Sequence, residues 1–141
     1  MFKVNILEVL LDKNNNLETD KCLVLSSSKN ISKNTLIKTL DKVQMIVNVK
    51  LNKRLKYVNR DNRVMFADFY QYANNNTHSH TYLQIPECHD KEEVFKLVKH
   101  TFERIDKRHR VHLENAKHVY KLADYQSRQF HQNDILTYRF H

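Results

Sequence analysis

Two histidines that could bind one metal ion lie in the segment NNNTHSHTYLQIPE, residues 74–87. His78 and His80 are one residue apart, and the residues that follow the asparagine-rich turn are typical of a β-strand. Because side chains alternate between the two faces of a strand, both imidazoles are expected on one face, with Tyr82 and Gln84. Paired imidazoles are common metal ligands, so the pair predicts a metal site. With nine histidines in the chain, a chance pair at the surface is the alternative.

The strand before the histidines, predicted for residues 63–72, indicates a third ligand. We expect the two strands to form a hairpin through a turn near 72–76, which brings Asp68 level with the imidazoles. This prediction places the odd-numbered residues of the strand toward the helices and Asp68 on the open face of the sheet. Two imidazoles and one carboxylate, with open coordination positions, suit a catalytic Mn²⁺ or Mg²⁺ ion. Gln71 is the reserve ligand, although the same alternation places it on the wrong face.

A tyrosine in the last predicted helix, residues 114–130, is a second candidate for chemistry. Tyr125 shares a helical face with Lys121 and Arg128, and His118 lies one turn further back. A phenol ionises only near pH ~10, so cations are needed to favour the phenolate, and they could also hold a phosphate for in-line attack. The alternative is a surface tyrosine on a solvated basic helix.

The composition limits the class of protein and of partner. The chain has 141 residues, of which 40% are hydrophobic, and a net charge of +8, which predicts one globular domain over residues 1–141 that attracts phosphate. Cys22 and Cys88 are the only cysteines and form no CxxC motif, so a disulfide framework is not expected. No apolar run approaches the length of a membrane span. We therefore expect a cytoplasmic protein with nucleic acid as its leading partner.

The elements that must position these residues follow from hydrophobic periodicity and turn residues. Their order, β-α-β-β-α-β and then a helix, predicts an α+β fold with a ferredoxin-like (RRM-like or palm-like) antiparallel sheet. Both central helices are expected on one face of that sheet, and residues 1–20 leave room for an extra edge strand. The predicted elements are a strand at 22–27, a helix at 32–55, strands at 63–72 and 78–85, a helix at 90–106, a strand at 110–113 and the tyrosine helix at 114–130.

The two motifs resemble those of the HUH endonucleases, in particular the Rep-type initiators of rolling-circle replication. HSHTYLQIP is similar to their HxHxxxQ or HxHxLxxP strand, with Ser79 in place of the bulky hydrophobic residue that is usual between the histidines. LADYQSRQF is similar to their tyrosine helix with its YxxK pattern, with Arg128 in place of the lysine. Arginine keeps the charge but not the compact geometry or the easier deprotonation of lysine. The resemblance extends over residues 20–130.

This resemblance implies a ligand set and a nucleic-acid partner. His78, His80 and Asp68 would hold Mn²⁺ or Mg²⁺, which polarises the scissile phosphate of the DNA. The DNA would be single-stranded, at an origin or at the end of a mobile element, often beside a hairpin. The contact residues expected on the DNA are Phe66, Tyr70, Tyr82, Gln84 and His118.

The resemblance also implies a reaction. Tyr125 would attack the phosphate, form a 5′-phosphotyrosine and release a 3′-hydroxyl, and the reverse reaction would join DNA ends. Lys121 and Arg128 would stabilise the charge on the phosphate. Tyr120 is the alternative nucleophile, about 140° from Tyr125 around the helix. The chain has no glycine and hence no GxxxxGK[ST] loop, so unwinding is expected from a separate helicase. A viral member would work in the cytoplasm or nucleus of its host.

Two other classes of function fit the same residues. A non-catalytic module for single-stranded nucleic acid would stack bases on Phe66, Tyr70 and Tyr82 and would need no metal. A structural or regulatory protein would carry the histidines at its surface and the positive charge for solubility. The basic run KRHR, residues 107–110, is compatible with either a phosphate contact or a solvated loop.

Overall fold

The computed structural model describes residues 21–53, 62–73, 76–115 and 138–141. Over these residues the fold is α+β, with one antiparallel sheet and two helices. The strand order is β4-β1-β3-β2-β5, and each neighbouring pair runs antiparallel. The described elements are β1 (Lys21–Ser27), α1 (Lys33–Leu51), β2 (Met65–Ala73), β3 (Asn76–Gln84), α2 (Lys91–Ile105), β4 (His109–Asn115) and β5 (Tyr138–Phe140).

The first six predicted elements are confirmed within a few residues of their observed bounds. The predicted start of the tyrosine helix at residue 114 is wrong, because Glu114 and Asn115 belong to β4 and pair with β1. The rest of that helix, and the edge strand expected within 1–20, lie outside the described residues. β5 was not predicted, since three residues are too few to show an alternating pattern.

Both helices begin at a capping side chain that the sequence indicates. Ser32 accepts a hydrogen bond from the Thr35 N–H at 3.1 Å, and Asp90 accepts one from the Glu93 N–H at 3.1 Å. Glutamates in the first turn of α2 suit the positive end of its dipole. No helix in the described part of the chain is long and apolar enough to cross a membrane.

The core lies between the two helices and one face of the sheet. Phe66 of β2 is fully buried in it, and each such side chain stabilises the fold by about 1.5–3 kcal/mol. Because a shift of one residue would exchange the two faces of a strand, this burial fixes how β2 is oriented. The other core residues are Leu23, Leu25, Leu36, Leu40, Val43, Val47, Val64, Tyr70, Leu83, Val94, Phe95, Val98, Phe102 and Val111.

Two amide side chains, one turn apart on α1, hold the chain that enters β2. Asn48 Nδ2 donates to the Val64 carbonyl at 3.1 Å, and Asn48 Oδ1 accepts from the Val64 N–H at 2.7 Å. Gln44 Nε2 donates to the same carbonyl at 3.1 Å and to the main-chain oxygen of His141 at 2.7 Å. Buried backbone groups are thereby satisfied, and β2 and the end of β5 are both positioned against α1.

Candidate metal site on the histidine face

β3 separates its side chains between the two faces of the sheet. Leu83 is part of the core beneath the helices, so His78, His80, Tyr82 and Gln84 lie on the opposite face. This confirms the face predicted for these residues. We call the sheet surface on this side the histidine face.

The predicted orientation of β2 is wrong, because its two faces are exchanged. Phe66 lies in the core, and Asp68 and Tyr70 share its side of the strand. Asp68 pairs across the hairpin with Thr81. Both faces of β2 carry apolar residues, and the side with two aromatic rings, rather than the odd-numbered side, packs on the helices. Asp68, Phe66 and Tyr70 are therefore absent from the histidine face.

Asp68 is a buried structural carboxylate rather than a neighbour of the histidines. It accepts hydrogen bonds from Thr81 Oγ1 at 2.7 Å and from the Tyr70 hydroxyl at 3.0 Å, and it contacts His141 Nε2. Arg139 Nη2 lies 3.9 Å from its Oδ2 atom. Burial, followed by the charge of Asp68, raises the pKa of Tyr70, so that phenol stays protonated and donates to the carboxylate.

A second carboxylate fastens β5 to α1. Arg139 forms a bidentate ion pair with Asp41, with Nη2–Oδ1 at 2.6 Å and Nη1–Oδ2 at 3.3 Å. His141 Nδ1 lies 3.3 Å from Asp41 Oδ1. Arg139 and His141 thus lie between Asp41 at the surface and Asp68 in the interior. We call these four residues the β5 clamp.

Gln71 takes the place that was predicted for Asp68. It pairs with His78 across the hairpin, and its Oε1 atom lies 3.1 Å from His78 Nε2. Phe69 pairs with His80 in the same way. Gln71, the reserve ligand of the sequence prediction, is thus the polar neighbour of the histidine pair on this face.

His80 is a buried polar side chain beside His78. Its ring lies 5.1 Å from that of His78, centroid to centroid. Only 5% of His80 is exposed, and neither ring nitrogen has a hydrogen-bond partner in the described part of the chain. A buried polar atom without a partner costs about 1–3 kcal/mol, and native proteins retain few of them. The orphaned nitrogens therefore fit a site that accepts a metal ion.

The electrostatics keep both imidazoles neutral. Burial, and then the nearby His78, lowers the pKa of His80 to about 4. Burial also lowers the pKa of His78. Neutral imidazole is the form that binds metal, and because His78 Nε2 donates to the Gln71 amide oxygen, Nδ1 is the unprotonated nitrogen of that ring.

The donor set is two imidazoles with an amide oxygen. No group of three or more His, Cys, Asp or Glu side chains suited to a metal ion occurs within residues 21–53, 62–73, 76–115 and 138–141. The pair alone therefore supplies the strong donors there, and Gln71 supplies a neutral oxygen. Without a carboxylate the set suits Mn²⁺, or another ion that binds imidazole, better than Mg²⁺, which prefers charged oxygen ligands.

β4 adds charged side chains to the histidine face that the sequence prediction missed. Val24 of β1 pairs with His80 on one side and with His112 on the other. His112 Nε2 lies 2.9 Å from Glu114 Oε1, and both residues influence the pKa of His80. The signal was present in the alternation of HRVHLEN, but the strand was predicted to end before Glu114.

The residues predicted to contact DNA are divided by the structure. Phe66 and Tyr70 lie in the core, where they cannot stack on a base. Tyr82 lies on the histidine face but is fully buried, with its ring 5.8 Å from that of Phe69 in an edge contact. Gln84 lies on the same face and is half-buried.

The residues of the predicted tyrosine helix lie outside the described residues. They are His118, Tyr120, Lys121, Tyr125 and Arg128. The connection that contains them leaves from β4 at one edge of the sheet and rejoins at β5 on the opposite edge.

Comparison of the chain with protein-family models, with curated proteins and with solved structures finds no match. The histidine face brings together two imidazoles and one amide oxygen, with the hydrogen-bonded side chains of His112 and Glu114 nearby.

The lowered pKa of His80 predicts a loss of stability in acid. The unfolded chain takes up the proton near pH 6.5, whereas the folded protein resists it until about pH 4. The contribution of His80 to the free energy of unfolding is therefore fully present above pH 6.5. It is lost as the pH falls toward 4, by up to about 3 kcal/mol. Urea unfolding across this range should show the loss, and His80→Gln should flatten it. A curve for His80→Gln that parallels the wild type would contradict the assignment, and His100→Gln on the exposed side of α2 is the control.

Proposed function

We propose that the protein is a metal-dependent nickase and ligase of single-stranded DNA, of the HUH type. The observation that carries the proposal is His80, a buried neutral imidazole whose nitrogens lack partners in the described part of the chain, beside His78. A buried imidazole without a partner lowers the stability of the fold unless its nitrogens bind a ligand such as a metal ion. The HxH strand of HUH enzymes uses its histidines in this way, so the resemblance and the geometry support the same site.

The arrangement of the elements supports the same proposal. The order β4-β1-β3-β2 and the packing of both helices on one side are expected of a ferredoxin-like sheet. β3, which carries the histidines, is an interior strand with neighbours on both sides. Backbone pairing on both edges holds the two imidazoles rigidly, as a catalytic site requires.

In the proposed site, His78, His80 and Gln71 hold the metal, and Asp68 has no part in it. The register that pairs Gln71 with His78 favours this set. A bound divalent ion supplies Lewis-acid activation of the scissile phosphate. His78 and His80 are neutral imidazoles at neutral pH, because burial lowers the pKa of both, and each neutral ring has one unprotonated nitrogen that can bind the ion.

Tyr125 is the proposed nucleophile. Its phenolic oxygen attacks phosphorus, the bond to the 3′-oxygen breaks, and the products are a 5′-phosphotyrosine and a 3′-hydroxyl. The phenol gives up its proton and the leaving 3′-oxygen gains one, so the reaction consumes no cofactor and can reverse. Lys121 and Arg128 would stabilise the phosphate charge, and Tyr120 remains the alternative nucleophile.

The proposed partners are single-stranded DNA at an origin or element end and a separate helicase. The net charge of +8 favours binding of the phosphate backbone. The proposed place of action is the cytoplasm, or the cytoplasm or nucleus of a host cell.

The alternative of a non-catalytic module that stacks bases has lost support. Phe66 and Tyr70, two of its three stacking residues, are buried beneath the helices, and Tyr82 is fully buried on the other face. A binding module of this kind also gives no reason for unpartnered nitrogens on His80.

The proposal predicts a covalent protein–DNA adduct that requires metal. The protein would be incubated with a random pool of labelled single-stranded oligonucleotides, with Mn²⁺ or with EDTA, and resolved on a denaturing gel. We expect an adduct with Mn²⁺, none with EDTA and none in Tyr125→Phe. The matched control is Tyr72→Phe, because Tyr72 is an exposed tyrosine on β2.

Each other outcome overturns a stated part of the proposal. An adduct that persists in Tyr125→Phe removes this residue as the nucleophile, and Tyr120→Phe is then the next variant. Binding that is unaffected by EDTA, without any adduct from the random pool, replaces the nickase with a binding module.

A further inference from the structure

One row of polar side chains crosses four strands of the histidine face. Ser26 of β1 pairs with Arg110 of β4, and extending the pairing of Leu25 with Ser79 by one residue puts Ser26 beside His78. His78 in turn pairs with Gln71 of β2. We call Gln71, His78, Ser26 and Arg110 the polar row. It crosses three spaces between strands, a distance of roughly 14 Å.

Arg110 projects on the same side as the histidines. Its neighbour His109 stacks on Phe102 of α2, with ring centroids 4.3 Å apart, and Val111 lies in the core. Alternation therefore places Arg110 on the histidine face. Arg110 Nη1 donates to the carbonyls of Lys107 at 2.5 Å and of His109 at 2.9 Å. These contacts orient the guanidinium and leave Nε and Nη2 as donors for a ligand.

Two lysines lie beside the Arg110 end of the row. The Ser28 N–H donates to the Arg108 carbonyl at 2.9 Å, which brings the turn after β1 against the turn before β4. Lys29 and Lys107 lie in these two turns, are exposed, and have no acidic partner among the residues that the structure describes. Arg108, by contrast, is paired with Asp106, with Nε–Oδ1 at 2.9 Å. Arg110, Lys29 and Lys107 form a patch of three cations that have no carboxylate partner there.

We propose that the polar row and these three cations form a track for the sugar-phosphate backbone of single-stranded DNA. The strand would lead from the histidine pair over Ser26 toward β4, where the cations hold the phosphates. This inference rests on the proposed function, since it gives the path of the single-stranded DNA on one side of the proposed reaction site. Charge complementarity favours a polyanion, and the row is narrow and begins at the proposed reaction site. The basic run at 107–110 thereby gains a role beyond solvation.

The test measures binding rather than cleavage, in EDTA, so that it does not depend on the metal or on Tyr125. Fluorescence anisotropy would give the affinity for a random single-stranded oligonucleotide at several salt concentrations. In the triple variant Lys29→Ala, Lys107→Ala, Arg110→Ala we expect affinity to fall about tenfold or more. The salt slope should fall by about 2, at roughly 0.7 for each phosphate contact to a single strand.

The matched control removes the same charge from the opposite side of the sheet. Lys38, Lys96 and Lys99 are exposed on the two helices, and their triple alanine variant should bind with nearly the wild-type salt slope. Equal losses in both triple variants would show general attraction to a basic protein and would overturn the track. Thermal unfolding of both variants checks that the fold is retained.

The two proposals fail in different ways. A normal adduct with an unchanged salt slope in the Lys29, Lys107 and Arg110 variant overturns the track alone. A lower slope in that variant without any adduct from the wild-type protein supports the track and overturns the nickase. Binding of duplex and single strand with equal affinity, both reduced in the variant, would overturn the assignment to single strands.

Discussion

Replacing His80 with alanine is expected to lower metal-dependent cleavage by at least about a hundredfold while leaving the protein folded. Two effects on stability oppose each other. Removing a buried ring leaves a cavity, but it also removes two nitrogens that lack partners in the described part of the chain, which offsets about 1–3 kcal/mol. The free energy of unfolding should therefore change little. Titration calorimetry with Mn²⁺ would measure the lost binding, and the adduct assay would measure the lost cleavage.

Two further variants make this prediction specific to the site. Gln71→Glu places a carboxylate where the register positions the third ligand, so Mn²⁺ should bind more tightly and Mg²⁺ should gain most. His100→Ala removes an exposed imidazole from α2 and should change neither binding nor cleavage. If His80→Ala bound Mn²⁺ as the wild type does, His80 would be a packing residue and the metal site would be abandoned.

Replacing Asp68 with alanine is expected to lower the free energy of unfolding by about 3–5 kcal/mol without weakening metal binding. The carboxylate is completely buried and accepts hydrogen bonds from Thr81 and Tyr70. Its removal leaves both hydroxyls, and Arg139 and His141 of the β5 clamp, without their buried acceptor. Urea unfolding would give the change in stability, and calorimetry with Mn²⁺ would show that the site is intact.

Asp41 provides the comparison for this variant. It binds the same Arg139 but is 55% exposed in its side chain, so Asp41→Ala should cost no more than about 1 kcal/mol. A loss of Mn²⁺ binding in Asp68→Ala, with the fold intact, would return Asp68 to the ligand set and contradict the observed register. Asp68→Asn keeps one acceptor oxygen and should lie between wild type and alanine in stability.

The fold was predictable from the sequence wherever a pattern repeats over several residues. The helical spacing of apolar residues identified both helices, and the alternation of side chains along β3 identified the face that carries the histidines. β2 defeated the same reasoning because it has apolar side chains on both faces. Pattern alone therefore could not decide which face packs on the helices, and packing decided it in favour of Phe66.

The choice of Gln71 as the proposed third ligand depends on the hairpin register, which the sequence alone does not fix. The last observed pair, Ala73 with Asn76, joins an odd-numbered residue to an even-numbered one, so odd residues of β2 share a face with even residues of β3. That pairing places Gln71 on the face of the histidines and Asp68 on the opposite face. The predicted turn at 72–76 was longer than the observed one, so the prediction did not give this pairing.

The contacts of β5 had no signal in the sequence. Arg139 pairs with Asp41, and the His141 main chain pairs with Phe66, across most of the length of the chain. Local periodicity contains no information about such distant partners, because they are brought together only by the finished sheet.

The strand order also implies an order of assembly. Within the described part of the chain, β2 and β3 are the only paired strands that are neighbours in sequence. A hairpin of this kind closes in about 1–10 μs. The pairing of β1 with β3 and with β4 is a slower step, because these strands are far apart in the sequence. During refolding, His78 and Gln71 would therefore come together before Arg110 joins them. If the proposed metal site is correct, metal would then meet His78 and Gln71 before the proposed DNA track has formed, and the folding rate would depend on the metal present.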